Sequence, residues 1–306
     1  MYEKNAIIHP TSLHQYLAEE YYRKEEQMAL QKIGIIGLGL MGGSLSLALK
    51  RIPTPYHFIG LDHNKVHCSQ ALELGLVDEI VNSLNEINHC DIIFLTIPVD
   101  GIIAVAKQLK PANPNCTIID LGSTKAKISE SIPKETRHFF VTAHPMTGTE
   151  KFGPTAALPD LYEDKVVVLC DLEKSGTHQQ KTAKKLFTEI GMKLVFMGAK
   201  EHDRHAAFIS HMPHALSYAL ANAVMRQEDP ESIVALAGGG FKDMSRIAKS
   251  SPSMWEDIFR QNKENLIEAI ECFQKELEKC KQMVGNEEWK KLNKWMEEAN
   301  TLHDIL

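Results

Sequence analysis

The stretch KIGIIGLGLMGGSLSLALKR, residues 32–51, decides the first half of the fold. It begins with an apolar run, breaks into glycines and continues as a segment with a helical pattern. The glycines are spaced as G-x-G-x-x-G at Gly37, Gly39 and Gly42. A strand followed by a tight glycine turn and a helix is typical of the first unit of an α/β domain with a parallel sheet.

Short apolar runs recur as far as residue 197, and stretches with a helical pattern separate them. After the first run they cover residues 57–62, 91–97, 116–121, 139–143, 165–170 and 194–197. This alternation predicts a largely parallel, doubly wound sheet. From about residue 199 onward the sequence has only helical patterns. We therefore expect three parts, namely a helical N-terminal extension of no assigned function over residues 1–31, an α/β domain over residues 32–199 and an all-α domain over residues 200–306.

Composition and charge exclude several classes of protein. At 306 residues the chain exceeds the ~250–300 residues of a single core, so more than one domain is expected. The net charge of −6 argues against a nucleic-acid-binding protein. No apolar run approaches the ~20 residues that span a bilayer, and the six cysteines include no C-x-x-C pair. We expect a cytoplasmic protein with reduced cysteines, no membrane segment, no nucleic-acid partner and no metal site.

The glycine turn predicts a dinucleotide site. It would bring the backbone and a helix N-terminus close to a pyrophosphate through Gly37, Leu38, Gly39, Leu40, Met41 and Gly42. Asp62, about 20 residues further on, is suited to bind the hydroxyls of the adenosine ribose and would repel the extra phosphate of NADP. NAD is therefore the expected cofactor, and we assign Thr96, near the end of a later apolar run, to the same site. The alternative is a plain glycine turn followed by an incidental surface aspartate.

Two polar residues follow consecutive predicted strands, Ser123 after TIIDLG and His144 after FFVTA. Because ligands bind at the carboxyl ends of the strands in a doubly wound sheet, both side chains should lie beside the nicotinamide. A neutral imidazole can take a hydroxyl proton near pH 7, so His144 is the candidate base. Ser123 is expected to hydrogen-bond that imidazole and fix its tautomer. The alternative is a structural histidine at a strand end.

The helical half carries further polar candidates. Ser210 and His214 lie four residues apart on one helix face, and Pro213 should kink or open that helix. No acidic residue or cysteine stands nearby in a metal-ligand pattern, so a substrate or cofactor contact is expected. Arg246 follows the glycines of residues 238–240, and its guanidinium can hold a carboxylate. A flexible hinge with a surface salt bridge is the alternative for this segment.

A long helix is expected after Pro252. Ser253 and Glu256 match an S-x-x-E capping box. Apolar residues then form one seam that begins at Phe259, resumes seven residues later and continues at alternating steps of four and three: Leu266, Ile270, Phe273, Leu277, Cys280 and Val284. Such a seam packs either within the core of the chain or in a dimer interface, and the pattern leaves both open.

Five motifs in a fixed order give the chain a specific resemblance over most of its length. They are GLGLMGGSL at 37–45, DLGSTK at 120–125, HPMTGTEKFGP at 144–154, SHMPHALS at 210–217 and GGGFKDMSRIAKSSPSMW at 238–255. The chain thereby resembles the prephenate dehydrogenase family, including its arogenate and cyclohexadienyl variants. The resemblance implies a Rossmann domain, a helical substrate and dimerisation domain, NAD as cofactor, and oxidative decarboxylation of prephenate to 4-hydroxyphenylpyruvate on the route to tyrosine.

The resemblance also implies roles for single residues. His144 would accept the proton of the ring hydroxyl, Ser123 would bridge it to the nicotinamide region, and Arg246 would hold a substrate carboxylate. Further contacts with the substrate are implied for His214, Ser210, His202, Thr149 and Glu150, the last two in a loop that covers the pocket. A homodimer through the helical domain is implied as well.

Two other interpretations fit parts of the sequence. A β-hydroxyacid-type dehydrogenase shares the glycine turn and the helical domain but relies on a catalytic lysine, for which Lys242 and Lys249 are the candidates. A regulator that binds NAD without turnover would not need His144, Ser123 and Arg246 together. Within the preferred family, the choice between prephenate and arogenate depends on a keto or an amino group, and the sequence leaves it open.

Overall fold

The computed structural model describes residues 30–305. Of the helical extension expected over residues 1–31, all but the last two residues therefore lie outside the described part. Within residues 30–305, no helix combines the length and the apolar character that a membrane crossing requires.

Eight strands of the described chain form one sheet, and seven of them coincide closely with the apolar runs of the sequence, whereas the two-residue β3 does not. The strands are β1 (Gln31–Ile36), β2 (Tyr56–Leu61), β3 (Glu79–Ile80), β4 (Ile92–Leu95), β5 (Thr117–Asp120), β6 (Phe140–Pro145), β7 (Val166–Cys170) and β8 (Lys193–Met197). Their order across the sheet is 3-2-1-4-5-6-7-8. Neighbouring strands are parallel except β6 and β7, which run antiparallel. The first six strands have the order of a doubly wound dinucleotide-binding sheet.

Helices cover both faces of this sheet. They are α1 (Leu40–Leu49), α2 (Lys65–Glu73), α3 (Leu84–Ile87), α4 (Val99–Ala106), α5 (Ala126–Ser131) and α6 (Thr177–Glu189). The buried apolar side chains form two large groups, and alternate residues of one strand belong to different groups: Ile92 and Phe94 to one, Ile93 and Leu95 to the other. Since side chains alternate between the faces of a strand, the sheet is buried on both sides.

After β8 the described chain is helical, so the expected α/β Rossmann domain followed by an all-α domain is confirmed. The helices are α7 (Ala199–Ala206), α8 (Met212–Met225), α9 (Pro230–Ala235), α10 (Gly239–Ser245), α11 (Pro252–Gln261), α12 (Lys263–Gly285) and α13 (Trp289–Asn300). A π-helical turn over Ala207–His211 joins α7 to α8, and Pro213 lies in the first turn of α8. The local opening that the proline predicts takes this form, because a π-helical turn frees the backbone ahead of the proline ring.

The helix expected to run on from Pro252 is in fact two helices. α11 begins at Pro252 with Ser251 as its N-cap, because proline fits the first helical turn, so the capping box assigned to Ser253 is wrong. The chain then breaks at Asn262, whose buried side chain donates to the carbonyl oxygen of Asp203. The apolar spacing predicts one continuous helix, but the helix is broken at Asn262, where a tertiary hydrogen bond holds the side chain.

Candidate active site

The glycine turn between β1 and α1 is shaped to accept a phosphate group. Gly37 has a φ of +100°, which favours glycine. A Cβ on Gly42 would collide with the carbonyl oxygen of Gly37 and lie 2.7 Å from Oγ1 of Thr96, so no larger residue fits there. At Gly39, by contrast, nothing lies within 4 Å of such a Cβ. The turn is thus closed towards the sheet and open at Gly39, where a pyrophosphate can reach the N-terminus of α1.

Asp62 and Thr96 hold this turn in place. Oδ2 of Asp62 accepts a hydrogen bond from the backbone N–H of Leu38 over 2.8 Å. Oγ1 of Thr96 donates to the carbonyl oxygen of Gly37 over 2.6 Å. Both side chains therefore adjoin the glycine turn, and Asp62 directly follows β2, where this fold places the carboxylate for the ribose hydroxyls. The residues of the turn fit a dinucleotide.

The loop that carries Thr149 and Glu150 packs against α1. Both side chains are exposed. Beyond them, the backbone N–H of Leu158 donates to Oγ of Ser44 over 2.8 Å, and the hydroxyl of Tyr162 donates to the carbonyl oxygen of Met41 over 2.8 Å. The loop is thus anchored on the first turns of the helix that begins at the glycine turn.

His144 is buried at the carboxyl end of β6. Its strand is a parallel neighbour of β5, so the loop with Ser123 leaves the sheet at the same edge, as the sequence predicts. Nδ1 of His144 lies 2.8 Å from Nε2 of His202 on α7. The half-buried Ser123 forms no hydrogen bond with His144 in the described structure. The hydrogen-bond partner of His144 is therefore His202 and not the expected Ser123, because α7 places His202 next to Nδ1 of His144.

A buried carboxylate follows in the same chain of hydrogen bonds. Nδ1 of His202 lies 2.9 Å from Oδ1 of Asp203. The two carboxylate oxygens of Asp203 also accept hydrogen bonds from the backbone N–H groups of Lys125 and Ala126, over 2.7 Å and 2.9 Å. Since both ring nitrogens of His202 contact protein groups, this residue stands behind His144 and not on the pocket surface, where the resemblance would place it.

Burial keeps the imidazole of His144 neutral. Loss of water around the ring lowers the pKa of His144 well below its ordinary value of 6.5, and the nearby His202, Lys125 and His211 lower it further. Lys125 is fully buried beside this site, where it pairs with Asp120 and donates to the carbonyl oxygen of Ala143 over 2.7 Å. A neutral imidazole at this position can act as a base.

The helical half contributes a second group of side chains. His214 stacks on Trp255 with the ring centroids 3.6 Å apart, and its Nδ1 lies 2.9 Å from the carbonyl oxygen of Ser210. Burial lowers the pKa of His214, and the positive charge of Arg246, whose 3₁₀ turn Arg246–Lys249 packs against α8, lowers it further. Arg246 itself is exposed just after α10. Within residues 30–305, no three metal-ligating side chains are grouped to hold an ion.

Asn262 joins the two groups of side chains. Its amide Nδ2 donates to the carbonyl oxygen of Asp203 over 2.6 Å and lies 3.1 Å from Nδ1 of His211. Nε2 of His211 and the indole nitrogen of Trp255 are buried and have no partner within the described residues. Trp255 ends the last motif of the sequence and Asp203 directly follows His202, so both could have been proposed, but no pattern points to Asn262.

Two family models match the chain side by side. Residues 45–196 match the model described as prephenate dehydrogenase, nucleotide-binding domain. Residues 198–298 match the model described as prephenate dehydrogenase, dimerization domain. Together the two matches cover most of the described structure, including His144, His202 and Arg246.

Whole proteins of known activity give the same result. The chain is 30% identical over 278 residues to the prephenate dehydrogenase of Bacillus subtilis, which covers 89% of this chain and 75% of that protein. It is 29% identical over 261 residues to the cyclohexadienyl dehydrogenase of Zymomonas mobilis, covering 84% and 89%. The crystal structure of prephenate dehydrogenase from Aquifex aeolicus in complex with hydroxyphenyl propionate and NAD+ has a TM-score of 0.84 at 34% identity, covering 91% of this chain and 99% of that one. The chain belongs to the prephenate dehydrogenase family.

Proposed function

We propose that this chain catalyses the NAD-dependent oxidative decarboxylation of prephenate to 4-hydroxyphenylpyruvate in tyrosine biosynthesis. The observation that carries the proposal is the buried, neutral imidazole of His144 at the sheet edge where the glycine turn also lies. The Aquifex aeolicus relative binds NAD+ and hydroxyphenyl propionate in its crystal structure. Those ligands support the same cofactor and a ring compound as substrate for this chain.

The side chains of the site handle one proton in this reaction. NAD, when bound, supplies the hydride acceptor. Nε2 of His144 takes the proton of the ring hydroxyl as that carbon is oxidised, which leaves a ring ketone opposite the carboxylate. Departure of CO2 sends the electrons of the broken C–C bond towards the ketone oxygen and makes the ring aromatic. His144 then returns its proton to the phenolate oxygen, so the imidazole is neutral again for the next turnover.

The substrate is a dianion, and we assign its binding mainly to the helical half. Arg246 is exposed near the stacked ring of His214, so its guanidinium is available to hold a carboxylate in a bidentate manner. We assign His214 and Ser210 to the wall beside it. Thr149 and Glu150 belong to the loop over α1, and we assign Ser123 to the space between His144 and the nicotinamide.

The cofactor is assigned to the glycine turn, and NAD is preferred over NADP. The turn residues are Gly37, Leu38, Gly39, Leu40, Met41 and Gly42. The carboxylate of Asp62, held against the turn by the N–H of Leu38, would repel a phosphate on the adenosine ribose. Thr96 stabilises the turn through the hydrogen bond that its hydroxyl donates to the carbonyl oxygen of Gly37.

We also propose a cytoplasmic homodimer formed through the helical half. The match to a family model described as a dimerization domain supports it. Large apolar side chains are exposed on these helices, among them Met225, Leu236, Met244, Leu277 and Val284. The cysteines of the chain are all free thiols, in keeping with a reducing compartment.

The test is a direct assay of the purified protein. We expect NADH absorbance to rise when NAD and prephenate are added, and 4-hydroxyphenylpyruvate to form in equal amount. Arogenate in place of prephenate, or NADP in place of NAD, should lower kcat/KM by roughly tenfold or more. A higher kcat/KM with arogenate would reassign the substrate, and no NADH with either substrate would contradict the proposed function.

A further inference from the structure

We infer that Asp203 is a positioning residue that sets the protonation of His144 through His202, so that the three side chains form a proton relay. This inference deepens the proposed function and rests on it, because it requires His144 to be the base. Two hydrogen bonds carry it: 2.8 Å between Nδ1 of His144 and Nε2 of His202, and 2.9 Å between Nδ1 of His202 and Oδ1 of Asp203. All three side chains are buried, so water does not compete for these bonds.

The tautomer of each imidazole follows from the carboxylate. An ionised carboxylate only accepts hydrogen bonds, so Nδ1 of His202 must carry a proton. When His202 is neutral, its Nε2 is therefore an acceptor, and the proton of the bond to His144 must reside on Nδ1 of His144. The remaining nitrogen of a neutral His144, Nε2, then has a free electron pair. This is the nitrogen that the proposed reaction needs as its base.

The carboxylate of Asp203 is held so that it cannot turn away. The N–H groups of Lys125 and Ala126 each donate to a different oxygen, and both belong to the segment that follows Ser123. Asn262 holds the backbone carbonyl of the same residue. Within residues 30–305, the one salt bridge of Asp203 is with His202. No lysine or arginine side chain of the described residues therefore competes with His202 for this carboxylate.

These contacts provide a path for the substrate proton during turnover. When the substrate hydroxyl gives its proton to Nε2 of His144, the Nδ1 proton can cross the bond to Nε2 of His202. The positive charge then lies on His202 against the carboxylate of Asp203, away from the substrate. The two proton transfers reverse when the phenolate oxygen recovers its proton, so no proton is gained or lost by the relay.

Other ionisable groups face the relay, and they stay the same in the variants below. They are Lys125 with its partner Asp120 beside β6, and His211 on the π-helical turn. Lys125 still lowers the pKa of His144 although it forms an ion pair with Asp120, and none of the variants below changes either residue. Asp203 is therefore the group whose charge the relay depends on.

The first experiment is Asp203→Asn, with kcat and KM for prephenate measured across pH. Loss of the carboxylate should lower kcat by roughly 100-fold, because the cation is no longer stabilised and the tautomer is no longer fixed. KM should stay within about threefold. The acidic limb of the kcat profile should move to lower pH by about one unit, because a negative charge no longer favours the protonated imidazole. A wild-type limb and a kcat within about twofold of wild type would overturn the inference.

Asp171→Asn is the matched control. Oδ1 of Asp171 accepts a hydrogen bond from the backbone N–H of Ala199 over 2.9 Å, at the start of the same helix that carries His202. This variant loosens α7 without removing a charge from the relay, so the acidic limb should stay where it is. An equal displacement of the limb in Asp171→Asn would mean that loosening of the helix is the cause, and would overturn the relay.

A double-mutant cycle tests whether Asp203 acts through His202. In a His202→Gln background, Asp203→Asn should change kcat by less than about twofold, because the connection is already lost. A full loss of kcat in that background would show that Asp203 acts by another route and would overturn the inference.

The last measurement needs neither turnover nor a folded variant of Asp203. In the wild-type protein labelled with ¹⁵N-histidine, NMR should show the proton of both His144 and His202 on Nδ1 above pH 7, the signals being assigned with His144→Asn and His202→Gln. A proton on Nε2 of neutral His144 would overturn the relay. Because the spectra are recorded without substrate, this result is independent of the assay that decides whether prephenate is turned over.

Discussion

His144 is the residue on which the proposed chemistry depends most. His144→Asn keeps a polar side chain beside His202 but removes the nitrogen that takes the substrate proton. We expect kcat to fall by roughly 1,000-fold with KM within about threefold, because the carboxylate contacts assigned to Arg246 do not involve the imidazole. Steady-state kinetics with prephenate and NAD measure both values. A kcat close to that of the wild type would exclude the role of base.

The control for this substitution lies at the other end of the same strand. His138 is exposed just before β6, and its ring is tilted by 39° against the ring of Phe139. His138→Asn makes the same chemical change away from the sheet edge that holds the site. Its kcat and KM should match those of the wild type.

The pH dependence follows from the buried histidines. Burial lowers the pKa of His144 well below 6.5 and that of His211 to about 4. Since the base works when neutral, kcat/KM should stay within about twofold between pH 8 and 6 and fall only at lower pH. Both groups have a depressed pKa in the folded state, so the unfolded chain binds more protons below pH 6.5 and the free energy of unfolding should decrease there. Activity profiles and urea unfolding at pH 7.5 and 5 measure the two effects, and an acidic limb at or above pH 6.5 would contradict the first.

At the scale of residues, the sequence predicts the position of those site residues that come directly after a strand. His144, Ser123 and Asp62 each follow an apolar run, and parallel strands bring their carboxyl ends to one edge. Asp203 and Asn262 could not be found in this way, because their partners lie in other elements far along the chain. Their roles come from tertiary hydrogen bonds, which leave no periodic signal.

At the scale of elements, two glycines of the glycine turn are expected to have different roles. Gly42 is needed for the fold of the turn, and Gly39 is needed for binding of the cofactor. A Cβ on Gly42 meets the carbonyl of Gly37, whereas a Cβ on Gly39 meets nothing within 4 Å. Gly39→Ala should therefore keep Tm within about 2 °C of the wild type yet weaken NAD binding by roughly tenfold or more, because the methyl group lies where the pyrophosphate approaches. Gly42→Ala should weaken NAD binding and should also lower Tm.

Calorimetric titration with NAD and thermal unfolding of the two variants give both quantities. Equal NAD affinity in Gly39→Ala and the wild type would place the cofactor elsewhere. A Gly42→Ala variant as stable as the wild type would mean that the turn can shift to make room for the methyl group.

The strands and helices of the α/β half were predicted because their apolar periods are strong. The two-residue β3 was missed, since a strand of that length has no alternation to detect. The antiparallel pairing of β7 with β6 was not predicted either, because a buried strand has the same composition in both directions. In the helical half, the apolar spacing continues through Asn262 although the helix ends there. The spacing therefore indicates which face of a helix is buried but does not indicate where the helix is broken.

At the scale of the whole molecule, the site depends on how the two halves are joined. The exposed ion pair of Arg260 with Asp100, at 2.6 Å, links α11 to α4, but it stabilises the structure little because water competes for both charges. The N–H groups of Lys125 and Ala126 donate to the carboxylate of Asp203, the first bond buried and the second partly buried, and hydrogen bonds to a charged group contribute about 1.5–3 kcal/mol each. The connection that aligns His202 with His144 is therefore also the stronger connection between the halves.

The seam of α12 leads to a prediction about assembly. Leu266, near the start of α12, is 6% exposed, so this part of the seam packs within the chain. Leu277 and Val284 continue the seam but are 57% and 47% exposed, which leaves them available to a second copy of the chain. The first alternative, packing within the chain, therefore holds for the first turns of α12, and a dimer interface stays a prediction for the later turns.

If the later turns of α12 form the dimer interface, charges placed there should separate the subunits. We expect the wild type to be a dimer by light scattering, and the double substitution Leu277→Glu and Val284→Glu to be a monomer with an unchanged helical circular dichroism spectrum, since neither side chain supports the core. The control is Lys275→Glu with Gln282→Glu, which has the same spacing on the opposite face and exposed positions, and should remain a dimer. A monomeric wild type, or a control that dissociates equally, would contradict an interface on the seam.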